Sequence, residues 1–200
     1  MRHKTSSKRS RLLEAAAKLF VLHGYDNTSI EMIADAAQIS RQTIYNQFGS
    51  KDALFIAIAK ELTGDLTASI AHPLDVGHNL ARTLETFGRQ VLSLVVADRN
   101  LAIYRLVLTE VSRFPELSRA VLECGIAVTE SQIANYLAAQ SGLRLDDPRF
   151  AARAFLALIV HPIHMRAQLG KKPSQREIAA HVKAAVALFL RAYGGNATRK

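Results

Sequence analysis

Apolar residues recur at three- and four-residue spacing along nearly the whole chain of 200 residues. This spacing places them on one face of successive α-helices, whereas strands would show alternating apolar and polar residues between hairpin turns. Uninterrupted apolar runs such as 154–160 are far below the roughly 18 residues that a membrane-spanning helix needs. The sequence therefore predicts an all-α fold of about nine helices with no transmembrane segment.

Helix-capping residues divide the first third of the chain. Thr28 and Glu31 have the spacing of a capping box that opens the second helix, and Ser40 can cap the third. The fourth helix is predicted to run without a break from Lys51 to about Ala71. Four helices are therefore expected before residue 72.

The rest of the chain shows longer helices. One is predicted from Pro115 to about residue 142, with a bend at Gly125. Asp147 and Pro148 open the next helix, and Ser174 with Glu177 forms a capping box that opens the last one. These last two helices carry more apolar positions than a single buried face requires.

The charge balance favours an anionic partner. The chain has 26 Lys and Arg against 17 Asp and Glu, a net charge of +9. Residues 1–11 hold five of the basic side chains and no acid: Arg2, Lys4, Lys8, Arg9 and Arg11. Nucleic acid and an acidic membrane face are both compatible with this charge. The basic start is either a simple tail or an arm that contacts DNA.

Other functional classes lack their sequence signatures. Cys124 is the single cysteine, so no internal disulfide can form, and a reducing, cytoplasmic environment is expected. No Cys/His cluster has zinc spacing, and His161 with His164 lacks a third ligand. Phosphate-binding loops, zinc-protease motifs and nucleophile elbows are missing from the sequence. The sequence therefore predicts neither an enzyme nor a metal or cofactor.

The second and third helices have the layout of a helix-turn-helix. On the third helix, Ile44 and Phe48 share one side and are predicted to face the core, which leaves Gln42 and Asn46 pointing outward. This outward face, which also carries Arg41, contains no Asp, Glu or Lys. Gln and Asn can form paired hydrogen bonds with adenine, and Arg can do so with guanine. The third helix is therefore predicted to read DNA bases.

Residues 28–55, from Thr28 to Phe55, closely resemble the DNA-binding signature of the TetR family, the tetracycline-repressor-like regulators. The likeness covers about 45 residues, and a looser one lies around 113–117. Two positions depart from the family pattern: Gln38 stands where the turn usually has Gly, and Gln42 where the recognition helix often has a small residue. The resemblance implies a bacterial, homodimeric repressor that responds to a ligand.

Combining the pattern and the resemblance gives three segments and three groups of site residues. The segments are a basic arm at 1–7, a DNA-binding domain at 8–55 with the helix-turn-helix at about 29–48, and a ligand-binding and dimerisation domain at 56–200. The predicted DNA contacts are Thr28, Ser29, Ser40, Arg41, Gln42, Thr43, Tyr45, Asn46 and Lys51. The predicted effector contacts are Phe87, Val91, Arg105, Leu108, Ile126, Tyr136, Ile159 and His161. The predicted dimer contacts are Phe155, Ile178, Val182, Ala185, Phe189 and Tyr193.

One competing class remains open at this point. A helical carrier or adaptor for small molecules could carry a basic arm without binding specific DNA. Specific DNA retention with a steep dependence on salt would separate the two, because a carrier shows neither.

Overall fold

A computed structural model describes residues 8–70 and 79–195, with the backbone alone at 62, 65–70 and 124. The predicted basic arm at 1–7 lies outside the described residues. No helix in the described ranges is long and apolar enough to cross a membrane. The all-α prediction is confirmed, and the helices are α1 (Lys8–His23), α2 (Ile30–Ala37), α3 (Arg41–Phe48), α4 (Lys51–Ile70), α5 (Leu80–Val95), α6 (Asp98–Glu110), α7 (Pro115–Val121), α8 (Ala127–Ala138), α9 (Pro148–Gln168) and α10 (Gln175–Tyr193).

A π-helical turn separates α7 from α8, where the sequence predicted a single helix. The turn covers Leu122–Ile126 and contains Gly125, which is buried. A π turn accommodates an extra residue within a helix, and Gly has little intrinsic preference for the regular α conformation. A π-helical turn therefore lies where the bend was expected, and it divides the helix, which raises the number of α-helices in the described ranges to ten.

Two of the predicted helix starts are confirmed. Asp147 accepts hydrogen bonds from the backbone N–H groups of Arg149 and Phe150, at 2.8 and 3.1 Å. At α10, Ser174 accepts from the Glu177 N–H at 3.2 Å, and the Glu177 carboxylate accepts from the Ser174 N–H at 2.8 Å. Both caps satisfy backbone donors that have no partner within the helix.

The start of α2 differs from the prediction. Ser29 is the capping residue, and its hydroxyl accepts from the Met32 N–H at 3.2 Å. Thr28 is only 1% exposed, and its hydroxyl donates to the Gly24 carbonyl at 2.7 Å. The predicted capping box of Thr28 and Glu31 is therefore wrong, because the Thr28 hydroxyl is directed back to the end of α1.

The chain divides into two compact units, which differ from a simple cut at residue 55. Among the described residues, the first unit contains 8–63 and 102–121, and the second contains 64–70, 79–101 and 122–195. The segment 102–121 joins the first unit because Phe114 packs against Tyr25 and Phe55, with ring centroids 4.9 and 6.0 Å apart. Tyr25 and Phe20 are also stacked, at 5.6 Å. Four aromatic rings therefore form one cluster from distant parts of the sequence.

The second unit is built on α5, α9 and α10, with α8 packed on α9. Phe155 lies between Phe87 and Phe189, with ring centroids 6.3 and 5.2 Å away. A Cβ atom at Gly88 would lie 2.9 Å from a Val182 methyl group, closer than such atoms approach. The absence of a side chain at Gly88 therefore lets α5 pack tightly on α10.

Pro162 lies inside α9, where it cannot supply the N–H group that would bond the Leu158 carbonyl. The His181 Nε2 atom of α10 lies 3.0 Å from the Leu158 oxygen and 2.9 Å from the Ile159 oxygen. Because both partners are acceptors, Nε2 carries the proton and donates. The half-buried imidazole thus replaces the missing backbone donor and links α9 to α10.

Candidate nucleic-acid interface

The turn between α2 and α3 contains a left-handed residue at Gln38, with φ 55° and ψ 48°. The backbone N–H of Ile39 donates to the Ala34 carbonyl at 3.0 Å, which ends α2. Ser40 then caps α3 by accepting from the Thr43 N–H at 3.1 Å. A left-handed backbone usually favours glycine, because a side chain is strained there. The turn is left-handed although residue 38 is a glutamine.

The register of α3 agrees with the prediction. Ile44 is buried and anchors the helix to the first unit. Phe48 is half-buried, and its ring is covered by the Arg9 guanidinium at 4.8 Å from the centroid. Five side chains of α3 are exposed, Gln47 among them, and we call the surface of the other four the outer face of α3: Arg41, Gln42, Tyr45 and Asn46.

Two of the outer-face amides are bonded to each other. The Gln42 Nε2 donates to the Asn46 Oδ1 at 2.8 Å, one helical turn away. This bond leaves the Gln42 carbonyl oxygen and the Asn46 amino group for other partners. A donor and an acceptor thus lie side by side on an exposed face, which is the pattern that matches a base edge.

Arg41 is paired with an acid of the preceding helix. Its Nη1 lies 2.9 Å from the Glu31 Oε1, and both side chains are largely exposed. The hydrogen bond from Arg41 lowers the pKa of the Glu31 carboxyl, and the same bond raises the pKa of Arg41. The guanidinium is therefore charged and held at the start of α3 next to an ionised carboxylate.

The hydroxyl groups near the two helix starts are used locally. The Ser40 and Thr43 side-chain oxygens lie 2.9 Å apart, and Ser29 caps α2. Tyr45 is exposed on the outer face of α3. Ser29, Ser40, Thr43 and Tyr45 all retain acceptor or donor capacity for a phosphate oxygen.

Two of the predicted DNA contacts make hydrogen bonds inside the protein. The Thr28 side chain is buried, so it cannot reach a ligand outside the protein. The Lys51 ammonium donates to the backbone oxygens of Tyr25 and Thr28, each at 3.0 Å, and lies 4.3 Å from the centroid of the Tyr25 ring. Lys51 therefore holds the connection between α1 and α2, and its contact with DNA stays a prediction.

Sequence reasoning missed the support beneath this connection. The Tyr25 hydroxyl donates to Asp52, and burial together with this bond raises the pKa of Tyr25 above its ordinary value. Arg113 forms an ion pair with Asp26 at 2.6 Å and lies over the Tyr25 ring at 5.1 Å. The looser likeness around 113–117 was the available signal, since it marks the segment that joins the first unit.

The eight predicted effector contacts are divided between the units. Arg105 and Leu108 belong to the first unit, and both are exposed. In the second unit, Ile126 and His161 are exposed, whereas four residues lie in one buried core: Phe87, Val91, Tyr136 and Ile159. The ligand-binding role of all eight stays a prediction.

The predicted dimer contacts are mostly inside a single chain. Tyr193 is half-buried, with its ring 4.8 Å from that of Phe189. The other five belong to the buried core of the second unit: Phe155, Ile178, Val182, Ala185 and Phe189. These five cannot meet a partner chain, because α5, α9 and α10 already cover them. Helical spacing identified an apolar stripe correctly, but it does not say which neighbour buries the stripe.

No group of three or more His, Cys, Asp or Glu in the described part of the chain is placed to hold a metal ion. His164 is half-buried, and its side chain contacts Gln168 at 3.1 Å. Burial and the nearby His161 lower the pKa of His164, in that order of importance.

Comparison with known proteins gives two family matches. Residues 12–58 match the family described as bacterial regulatory proteins, tetR family. Residues 82–195 match the AefR-like transcriptional repressor, C-terminal domain. The two matches together include the outer face of α3 and the core of the second unit.

Individual proteins show the same likeness over longer ranges. The transcriptional regulator TcmR of Streptomyces glaucescens is 28% identical over 158 residues, which are 75% of this chain and 69% of that protein. A solved structure of the flavonoid-responsive regulator FrrA is 30% identical and has a TM-score of 0.79, covering 94% of this chain and 98% of that one. A TetR-family structure from Mesorhizobium loti has a TM-score of 0.84 at 24% identity, covering 97% and 100% of the two chains, and supports the fold alone.

Proposed function

The chain belongs to the TetR family of bacterial transcriptional regulators, and from this premise we propose that it is a homodimeric repressor that a small molecule releases from its DNA operator. It would act in the cytoplasm, where its operator lies. The observation that carries the proposal is the outer face of α3, which presents amides, a guanidinium and a phenol without an acid of its own.

Base reading is assigned to Gln42, Asn46 and Arg41. The two amides offer a free acceptor and a free donor one turn apart, because their mutual bond uses one group of each. Adenine presents the matching donor and acceptor in the major groove. Arg41 is placed to contact guanine once it leaves Glu31 or shares its donors with it.

Phosphate contacts are assigned to the rim of this surface. Ser29 lies at the N-terminal end of α2, where unpaired backbone N–H groups favour an anion. Tyr45, Ser40 and Thr43 add hydroxyl groups, and the exposed start of α1 adds positive charge. These contacts fix the position of the protein on DNA without choosing a sequence.

Dimerisation is assigned to the outward sides of α9 and α10. Phe150 and Met165 of α9 are 57% and 50% exposed, and Leu188 of α10 is 47% exposed. A second copy of the chain would cover them in a two-fold arrangement, which suits an operator with two half-sites. Leu188→Asp should then give monomers in sedimentation, whereas Leu22→Asp, at an exposed leucine of α1, should not.

Effector binding is assigned to the second unit. FrrA, a relative over nearly its whole length, is described as flavonoid-responsive; for this chain we propose a small organic effector of a class argued below. The change would reach the DNA-binding surface through α4, which runs unbroken from Lys51 to Ile70 and has residues in both units. The effector must bind the released conformation more tightly, because equal affinity for both would shift nothing.

The test is selection of bound sequences from a random pool of double-stranded DNA with the full chain. A two-fold symmetric site whose affinity falls steeply with salt is the expected result. The variants Gln42→Ala and Asn46→Ala should lose this selectivity, whereas Gln90→Ala, at an exposed position of α5, should keep it. Recovery of no preferred sequence would favour the small-molecule carrier instead.

A further inference from the structure

Two side chains of α8 carry buried polar atoms that have no hydrogen-bond partner among the described residues. The Tyr136 hydroxyl and the Gln132 Oε1 are both shielded from solvent and unpaired. Tyr136 as a whole is 5% exposed. Nearly all buried polar groups in proteins have partners, since an unpaired one loses its bonds to water without replacement. These two atoms therefore identify a place where a hydrogen-bonding partner is required.

The two side chains are neighbours on α8. Gln132 and Tyr136 are four residues apart, which places them on the same face of the helix, one turn from each other. A single polar group of a bound molecule can therefore meet both. Two unpaired atoms at adjacent positions of one helix face point to one shared partner more directly than two scattered ones would.

The surroundings of this pair are apolar. Tyr136 belongs to the continuous core that also contains Phe87, Ile133 and Phe155. Among the described residues, the buried polar or charged side chains are Thr28 and Thr63, and both lie in the first unit. A charged molecule in the core of the second unit would therefore have no buried countercharge, and its burial would be strongly unfavourable. The chemistry favours an uncharged occupant.

The atoms also specify the polar group of that occupant. The Gln132 Oε1 can only accept a hydrogen bond, whereas the Tyr136 hydroxyl can donate or accept. A hydroxyl group of a ligand can donate to Gln132 and accept from Tyr136 at the same time. A carboxylate can accept from Tyr136 but leaves Gln132 unpaired, and a plain hydrocarbon leaves both unpaired.

We propose that Gln132 and Tyr136 are the polar anchor for an uncharged, mainly apolar effector that carries a hydroxyl group. This inference rests on the proposed function, since it names the class of molecule that the second unit senses. It assigns two specificity-determining residues, one of which, Gln132, no sequence pattern indicated.

The first experiment measures direct binding to the full chain by calorimetry, without DNA. The probes are 2-naphthol, naphthalene and 2-naphthoate, together with phenol and benzene as a smaller pair. In at least one of the two pairs, the hydroxylated probe should bind about tenfold to a hundredfold more tightly than its parent hydrocarbon. The charged 2-naphthoate should bind no better than naphthalene. The proposal would be overturned if the hydroxylated probe and its parent hydrocarbon bound equally in both pairs. It would also be overturned if neither phenol nor 2-naphthol bound.

The second experiment removes the anchor. Tyr136→Phe and Gln132→Met should reduce the affinity for the hydroxylated probe toward that of the hydrocarbon, while leaving hydrocarbon binding unchanged. Tyr193→Phe removes a hydroxyl from a half-buried tyrosine of the same unit and should change neither affinity. Retention of the full hydroxyl preference in Tyr136→Phe would contradict the assignment.

The melting temperature of ligand-free Tyr136→Phe distinguishes a ligand anchor from a hydroxyl that stabilises the fold, because the two roles predict opposite changes. Tyr136→Phe deletes an unpaired buried hydroxyl, so its melting temperature should equal or exceed that of the wild type. A clear decrease would mean that the hydroxyl is already paired, for instance with bound water, and would overturn the proposal. Neither the calorimetric binding measurements nor thermal unfolding uses DNA. Failure to find an operator would therefore count against the proposed function and not against the anchor.

Discussion

The Arg41 guanidinium at the start of α3 lies 2.9 Å from the Glu31 carboxylate at the start of α2. The pair joins the first turns of the two helices that form the DNA-binding surface. Because both side chains are largely exposed, it adds little to folding stability. Its main effect is electrostatic, since it places a negative charge beside the residue that is proposed to approach DNA.

Glu31→Gln should therefore strengthen binding to DNA of any sequence. Removing the carboxylate frees Arg41 and eliminates repulsion of the phosphates, so affinity should rise several-fold at low salt and the dependence on salt should steepen. Fluorescence anisotropy with random-sequence duplexes over a salt series measures both quantities. Glu14→Gln in α1, where Glu14 also forms an exposed ion pair, makes the same charge change and should have a smaller effect.

The effect of Glu31→Gln has a defined dependence on pH. Because Arg41 lowers the pKa of Glu31, the wild-type carboxylate stays ionised through neutral and mildly acidic pH. The difference between variant and wild type should be constant there and should disappear as the pH falls through the lowered pKa. A difference that vanished near neutrality would contradict the role assigned to this carboxylate.

Gln42→Ala and Asn46→Ala should each weaken binding to the selected operator by about 1–3 kcal/mol and barely affect random DNA. The two losses should not add, because the amides are bonded to each other at 2.8 Å and orient one another. A double-mutant cycle on the operator measures this coupling. Equal losses on operator and random DNA would show that the amides position the protein and do not read bases.

The turn at Gln38 gives a prediction about stability. Gln38 adopts a left-handed backbone, which costs about 1 kcal/mol for a residue with a side chain. Gln38→Gly should therefore be neutral or slightly stabilising in urea unfolding, and Gln38→Val should be destabilising by more than about 1 kcal/mol. Gln47→Gly inside α3 is the control, since the same exchange there should lower stability by about 1 kcal/mol. If Gln38→Gly lowered the free energy of unfolding as much as Gln47→Gly does, the backbone at Gln38 would not be strained.

The sequence was sufficient for features that depend on neighbouring residues. The caps at Asp147 and Ser174, the uninterrupted α4 and the direction of Ile44 all follow from local spacing, and the structure agrees. The departure at Gln38 was also legible, because the resemblance marked the position where a left-handed residue is required. In each case, the deciding interaction lies within a few residues along the chain.

Features that depend on distant parts of the chain were missed. The spacing of α10 showed that Val182 and Phe189 share an apolar face, but not that α5 and α9 of the same chain cover it. Lys51 looked like a free positive charge because its acceptors, the carbonyls of Tyr25 and Thr28, are more than 20 residues away. The place of Phe114 in the first unit was missed because its ring partner Tyr25 is also distant in the sequence.

The contact of His181 with the carbonyls of Leu158 and Ile159 can be tested by its dependence on Pro162. His181→Ala should lower the free energy of unfolding by about 1–3 kcal/mol, because the Leu158 oxygen then has no donor. In a Pro162→Ala background the cost should be smaller, since residue 162 regains an N–H group that can bond this oxygen.

A double-mutant cycle in urea separates this interaction from simple loss of packing. The volume lost at residue 181 is the same in both backgrounds, so its cost cancels and the coupling reports the carbonyl contact. His161→Ala, at an exposed position of α9, should change stability by less than about 0.5 kcal/mol and serves as the control. If His181→Ala lowered the free energy of unfolding equally in the wild type and in the Pro162→Ala background, the imidazole would stabilise α10 by packing alone.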